Sequence, residues 1–293
     1  VYIDGVFSGG GIKGLAMAGA CQAIEKRGLR FARLAGTSAG SIVAAFIAAG
    51  YTGDEIVDLL EELDLKDLMD ERISFFPLRF LKWISIYWSL GLYKGQKLEN
   101  WIAAKLKAKG ITTFGDLPPG TLKIIASDLT NGKILVLPDD LPSYGIVPEH
   151  FSIARAVRMS SSLPYFFEPV KLTSNKGNCI IVDGGVLSNF PIWVYGSEPF
   201  PVRPVLGIKL TPNEQERPTN RITNAIELYG ALFETMKDAH DARHIASKYE
   251  KNIVFLPVDH ILTTEFDLTE EKKLALIELG RRTTEQFLRQ WAY

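Results

Sequence analysis

The 293-residue chain predicts an α/β fold, a mostly parallel sheet covered by helices on both faces. Two observations carry this expectation. Short β-type runs alternate with helix-type runs along the chain. Two glycine-rich turns, Ser8–Gly14 and Gly36–Gly40, each stand between a β-type run and a helix-type run, the setting in which such sheets carry chemistry.

Taken in order, Val1–Phe7 contains Tyr, Ile, Val and Phe and reads as a strand that the glycines end. Leu15–Arg27 is rich in Ala, its apolar positions suit a helix packed under the glycine loop, and Gly28 is its stop. Phe31–Ala35 is a second strand, feeding the turn at Ser38. Ser41–Ala49 is apolar almost throughout, the mark of a helix buried on all sides, and Gly50 ends it. Further strands are expected at Leu122–Ala126, Ile134–Leu137, Cys179–Val182, Val205–Leu210 and Ile253–Leu256. Helical patterns occupy Thr52–Leu63, Leu98–Lys109, Ile153–Met159, Ile222–Lys248 and Thr269–Trp291. Thr211–Thr219, with its Pro, Asn and Glu, is a surface loop too short to link domains. No repeat or low-complexity tract divides the chain, so one domain over 1–293 is expected.

With 46% hydrophobic residues the chain can bury a substantial core, and a formal net charge of −1 leaves no electrostatic footprint for nucleic acid. Cys21 and Cys179 lie in apolar stretches, fit no metal-ligand spacing, and read as reduced core residues. Asp4 and the glycines interrupt any secretory apolar region, and no stretch reaches the ~20 apolar residues of a spanning helix. A soluble, cytoplasmic protein is therefore expected, from a chain that begins at Val1 rather than Met.

The chemistry concentrates in three places. Gly36-Thr37-Ser38-Ala39-Gly40 is a Gly-x-Ser-x-Gly between a strand and a helix, where a sharp turn can force a serine hydroxyl outward. Small neighbours at Thr37 and Ala39 tolerate a strained backbone, and the following helix aims its positive end at the site. Ser8-Gly9-Gly10-Gly11-Ile12-Lys13-Gly14 can turn backbone amides inward around an anion. Asp183, after Cys179–Val182 and before Gly184-Gly185, would sit at a strand's carboxyl end, where open parallel sheets place their sites. A plain surface turn would use an Asp in the same way. A water-poor cleft beside Ser38 would raise its pKa and make it a competent base.

Other readings of these motifs fare worse. Gly9-x-Gly11-x-x-Gly14 has dinucleotide-binding spacing, but Phe31–Ala35 carries no acidic residue to hold a ribose. No Gly-Lys-Ser/Thr follows the glycines, which excludes a P-loop. None of the four histidines, His150, His240, His244 and His260, sits in a turn that would place it over the sheet as a base. His240-Asp241-Ala242-Arg243-His244 imitates a zinc-protease helix, but Asp replaces Glu and no third ligand is evident; a salt-bridged helix surface accounts for it better. No metal or cofactor is implied.

Together these residues resemble the patatin-like phospholipase family. Gly9–Gly14 is similar to its glycine loop, Gly36–Gly40 to its nucleophile elbow, and Asp183-Gly184-Gly185 with Asn189 and Pro191 to its Asp-Gly-Gly block. In the segment Ser160–Pro169, residues Ser161, Pro164, Phe167 and Pro169 match a further family pattern. The resemblance implies a three-layer α/β/α sandwich, lipid acyl hydrolysis and a Ser–Asp dyad without histidine. Carried over, Ser38 is the nucleophile, Asp183 the base, and the amides of Gly10 and Gly11 the oxyanion hole. An acyltransferase would share these residues, and a non-catalytic lipid-binding protein could share the fold.

Phe75–Tyr93 holds seven aromatics, with Arg79 and Lys82 its only charges. Such a stretch serves as a core-covering segment or subunit contact, as a face for a lipid–water boundary, or as a flap over an acyl pocket. The expected partners are a lipid substrate and, through this stretch, a membrane surface.

Overall fold

In a computed structural model the chain folds around an eight-stranded mixed sheet. The structure describes residues 1–62, 68, 70, 90–174, 177–196, 202–212, 222–223, 228, 230–233, 235–237, 241, 250–258 and 268–292. The elements in chain order are β1 (Tyr2–Phe7), α1 (Leu15–Lys26), β2 (Arg30–Thr37), α2 (Ala39–Ala48) and α3 (Gly53–Glu61). Next come β3 (Gly91–Tyr93), α4 (Gln96–Ala108), β4 (Leu122–Asp128), β5 (Lys133–Leu137), α5 (Ile153–Ser160) and β6 (Tyr165–Phe167). Then follow β7 (Val170–Ser174), β8 (Gly177–Asp183), α6 (Trp193–Gly196), β9 (Val205–Pro212), β10 (Ile253–Val258) and α7 (Glu270–Gln290).

The sheet order is β10-β9-β1-β2-β4-β8-β7, with β5 joining β4. β10, β9, β1, β2 and β4 are parallel, while β5 and β8 run against β4. The side chains of the central strands alternate between two cores. Ile3, Phe7, Leu34 and Val254 join the larger one, beneath α1, α2, α3 and α7. Val6, Ala35, Val205 and Ile253 join the smaller one, covered by Phe190, Ile192 and Tyr195. Both faces are thus covered, as the alternation of segments predicts.

Local chemistry explains the helix boundaries. Thr52 caps α3, its hydroxyl accepting from the Glu55 amide (3.2 Å) while the Glu55 carboxylate accepts from the Thr52 amide (2.8 Å). This is a capping box that satisfies two otherwise orphan donors. α1 and α7 approach until a Cβ on Gly280 would meet the Ala16 carbonyl carbon at 2.7 Å, so only glycine fits that crossing. Cys21 and Cys179 are free and buried, as expected, and burial pushes the Cys21 thiol pKa up.

The expected strands are present, as are the expected helices that fall on described residues, several of them longer than their apolar cores. The short β3–β6 pair, β7 and the single turn of α6 come without sequence warning. Thr211 and Pro212, expected to open the loop Thr211–Thr219, instead pair with β10 at the end of β9. The rest of that loop (213–219), most of the helical pattern 222–248 and the aromatic stretch 75–89 lie outside the described residues. No helix among the described residues is long and apolar enough to cross a membrane.

Candidate active site

The pairing around β4 brings the candidate nucleophile and base together. β5 holds one edge of β4 from Ile124 to Asp128. β2 pairs with Leu122–Ile125 and β8 with Ala126–Asp128, so both must lie end to end along the other edge. They run in opposite directions, so their C-terminal ends meet, Thr37 opposite Ile125 and Asp183 opposite Ala126. Asp183 therefore reaches the site by a different route from the one the sequence suggests. It ends an antiparallel strand that stops level with the end of β2, not a parallel strand at the sheet's carboxyl edge.

Ser38 follows Thr37 in a sharp turn, with φ 52° and ψ −123°. A non-glycine residue at positive φ costs about 1–3 kcal/mol and persists only where its surroundings enforce it. Gly40 permits the turn: a Cβ there would stand 2.5 Å from the carbonyl oxygens of both Phe7 and Ser8. Gly36 faces the same crowding, 2.7 Å from the Ser41 amide nitrogen. On the far side of Ser38, its carbonyl accepts from the Ser41 amide (2.9 Å) and hydroxyl (2.6 Å) at the start of α2.

The Ser38 hydroxyl donates to Asp183 Oδ2 at 2.7 Å, across 145 residues of sequence. Asp183 Oδ1 accepts from the Gly185 amide, also at 2.7 Å, which fixes the carboxylate plane. The carboxylate is 3% exposed, so both bonds act with little competition from water. The Asp183 amide in turn donates to the Ser162 carbonyl (2.9 Å).

Facing this pair is the glycine loop. The Gly9 amide donates to the Asn189 carbonyl (2.9 Å), and Lys13 and Gly14 belong to a short 3-10 helix, Gly11–Gly14, leading into α1. Gly11 takes φ 58°, a left-handed conformation suited to glycine. Among the described residues, none accepts from the amides of Gly10 or Gly11. Gly10, Gly11, Ser38 and Asp183 line one cavity, about 1110 Å³ with its open mouth included. Its remaining wall is largely apolar, including Ile42, Val43, Leu60, Leu98, Trp101, Leu163, Phe166 and Phe167, with Ser161, Asn189 and Lys237 as polar lining.

Two supports escape a reading of the sequence. The Ser38 amide donates to Ser160 Oγ (2.8 Å), which itself donates to the Ile125 carbonyl (2.5 Å). Arg158, buried at 2% exposure, donates to the carbonyls of Lys94 (2.5 Å) and Glu168 (2.8 Å) and to Ser162 Oγ. It thereby ties α5 to the ends of β3 and β6, whose Phe166 and Phe167 line the cavity. Burial pushes the Arg158 pKa down to about 10. A cation on an otherwise buried α5 face, Ile153, Ala154, Ala156 and Val157, is the one available signal for it.

His150 is exposed on a 3-10 turn, and His240, His244 and His260 lie outside the described residues. Asp241 departs from the expected helix surface. It is 3% exposed and pairs with Lys209 of β9, itself 8% exposed, while accepting from Asn189 Nδ2 and the Phe190 amide, both at 3.2 Å. The pair anchors the segment after β8 to the sheet.

The fold agrees with comparison to known proteins. The family model described as patatin-like phospholipase matches residues 5–194, and the chain belongs to that family. It is 64% identical to the uncharacterised protein YqhO of Bacillus subtilis, over the whole length of both. It is 26% identical over 194 residues to a probable lipid hydrolase, 463L, of Invertebrate iridescent virus 6, covering 64% of this chain and 61% of that one. Among solved structures, VipD from Legionella pneumophila superposes with a TM-score of 0.58 at 19% identity, over 99% of this chain and 67% of that chain. The type III effector ExoU gives 0.52 at 18% identity, over 98% of this chain and 53% of its own. These two structures share the fold. Family membership supports lipid hydrolysis as the class of activity.

Proposed function

We propose that the protein is a carboxylic ester hydrolase that cleaves fatty-acyl esters of phospholipids or related lipids through an acyl-enzyme on Ser38. The observation that carries this reading is the 2.7 Å bond from the Ser38 hydroxyl to Asp183 beside a largely apolar cavity. As Ser38 Oγ attacks the ester carbonyl carbon, its proton passes to the Asp183 carboxylate. The amides of Gly10 and Gly11 and the N-terminus of α2 stabilise the oxyanion. Collapse breaks the ester C–O bond, and Asp183 returns the proton to the departing alcohol or lysolipid. Water then attacks the acyl-enzyme and gives a proton to Asp183. The fatty acid leaves as Ser38 regains its hydrogen. The apolar wall takes the acyl chain, so the chain's burial helps to orient the ester.

A fluorophosphonate probe tests the nucleophile. Labelling of the wild type together with a blank Ser38→Ala variant supports the assignment. Equal labelling of both would end it.

A further inference from the structure

We infer that Ser160 is a positioning residue that holds the Ser38 turn in its attacking conformation. The inference rests on the reading of Ser38 as the nucleophile and adds a part to that site. The Ser38 turn is strained, and its two ends are held differently. The carbonyl end is anchored three times, by the Ser41 amide, the Ser41 hydroxyl and the Ile42 amide at 3.4 Å. The amide end donates to a single group, Ser160 Oγ at 2.8 Å. Rotation about the Ser38 N–Cα bond is the motion that would relax φ from 52°. That motion would swing the Cβ–Oγ bond away from Asp183 Oδ2. The bond to Ser160 opposes it.

Ser160 is suited to this work. It is 0% exposed, so water cannot replace its oxygen, and its own proton goes to the Ile125 carbonyl at 2.5 Å. With the proton committed, the lone pairs face the Ser38 amide. Ile125 is also the residue opposite Thr37 in the sheet, so the anchor is tied to the strand that delivers the nucleophile. Two residues on, the Ser162 carbonyl accepts from the Asp183 amide at 2.9 Å. One turn, Ser160–Ser162, therefore bonds to the backbone of both members of the pair. Arg158 holds that turn through the Ser162 hydroxyl. A further consequence concerns the oxyanion. Because the Ser38 amide is occupied by Ser160, it is not a donor to the tetrahedral intermediate, which leaves that role to the glycine loop and the start of α2.

The test compares Ser160→Ala, Ser160→Cys and Ser160→Thr with wild type. The cysteine nearly preserves shape but is a weak acceptor, whereas the threonine keeps the hydroxyl. Each is assayed for kcat and KM on a short p-nitrophenyl ester, for the rate of fluorophosphonate labelling, and for thermal midpoint. Loss of this bond predicts a fall in kcat and in labelling rate of about 5- to 30-fold for Ala and Cys, with KM held within about threefold. Thr recovers at least half of the lost activity on the logarithmic scale. A folded Cys or Ala variant with labelling within twofold of wild type overturns the inference. So does a Thr variant that folds and is as slow as Cys. A wild type that the probe does not label at Ser38 instead defeats the underlying reading of the nucleophile, so the two failures are distinguishable.

Discussion

Replacing Asp183 by Asn separates proton transfer from structure. The carboxylate accepts from the Gly185 amide on Oδ1 and from the Ser38 hydroxyl on Oδ2, each at 2.7 Å. An Asn side chain can keep its oxygen on the Gly185 amide, because that donor sits in the backbone and does not move. Its NH₂ then faces Ser38 Oγ and donates to it, so the serine proton has no acceptor. General-base catalysis contributes about 10²–10⁴ in rate. Here the base is held in plane and buried, and no second acceptor bonds to Ser38 Oγ among the described residues, which places the loss in the upper half. The expected fall in kcat is about 10³–10⁴, or roughly 4–5.5 kcal/mol of transition-state stabilisation at 1.36 kcal/mol per decade. Stability should change little, since the swap relieves a buried charge while it weakens one charge-assisted bond. The assay is saturating turnover of a p-nitrophenyl acyl ester, with thermal melting alongside. An Asp183→Asn variant that melts like wild type and keeps more than a tenth of its kcat would refute the assignment of Asp183 as base.

Two further outcomes follow from groups outside the dyad. Partial desolvation of its carboxylate, with the nearby Asp54 and Glu55 charges, raises the Glu25 pKa despite the bond from the Gly53 amide at 2.9 Å. A raised folded pKa means that its contribution to stability is full below the unfolded value and is lost as pH rises through the folded value. Glu25→Gln keeps the acceptor without the charge, so its melting temperature should match wild type near pH 4 and exceed it at pH 7; a constant offset across that range would count against the shift. Asp241→Ala strands the buried Lys209 ammonium and should destabilise by about 3–5 kcal/mol, whereas adding Lys209→Met to it should recover part of that loss. Urea melts of Asp241→Ala, Lys209→Met and the two combined decide this, and an additive double variant would refute the coupling.

What the sequence reveals and what it hides divide along physical lines. Glycines that must admit a carbonyl oxygen are legible, because only one residue type fits; Gly40 between the Phe7 and Ser8 carbonyls is such a case. Apolar strand cores are legible too, since Val6 and Phe7 serve opposite faces of a sheet buried on both sides. Strand direction is not. The run Cys179–Val182 reads the same in a parallel or antiparallel strand, so the route by which Asp183 reaches Ser38 stays hidden. β3 and β6 are three residues each, too short for a period to declare itself. Ser160 is hidden for another reason. Its partners are the Ser38 amide and the Ile125 carbonyl, and backbone groups leave no residue-type signature. Asp241 reads as helix surface because a carboxylate near cations usually is; only the fold places Lys209 beneath it.

The meeting of β2 and β8 on one edge of β4 explains how Ser38 and Asp183 come into direct contact, as the proposed dyad requires. An imidazole extends the reach of a carboxylate toward a serine by the width of its ring. Here the two strand ends stop at adjacent β4 positions, Ile125 and Ala126, and the carboxylate touches the hydroxyl directly. The arrangement leaves little tolerance. A slip of β8 by one residue would shift Asp183 about 3.4 Å along the edge and turn its side chain to the opposite face. That register is held by five residue pairs with β7, from Val170 opposite Ile181 to Ser174 opposite Gly177, and by the Asp183 amide on the Ser162 carbonyl. The unforeseen strand β7 therefore matters to the chemistry although none of its residues lines the cavity. Its pairing sets where β8 ends, and the end of β8 sets the distance between Asp183 and Ser38 across which the proposed proton transfer would run.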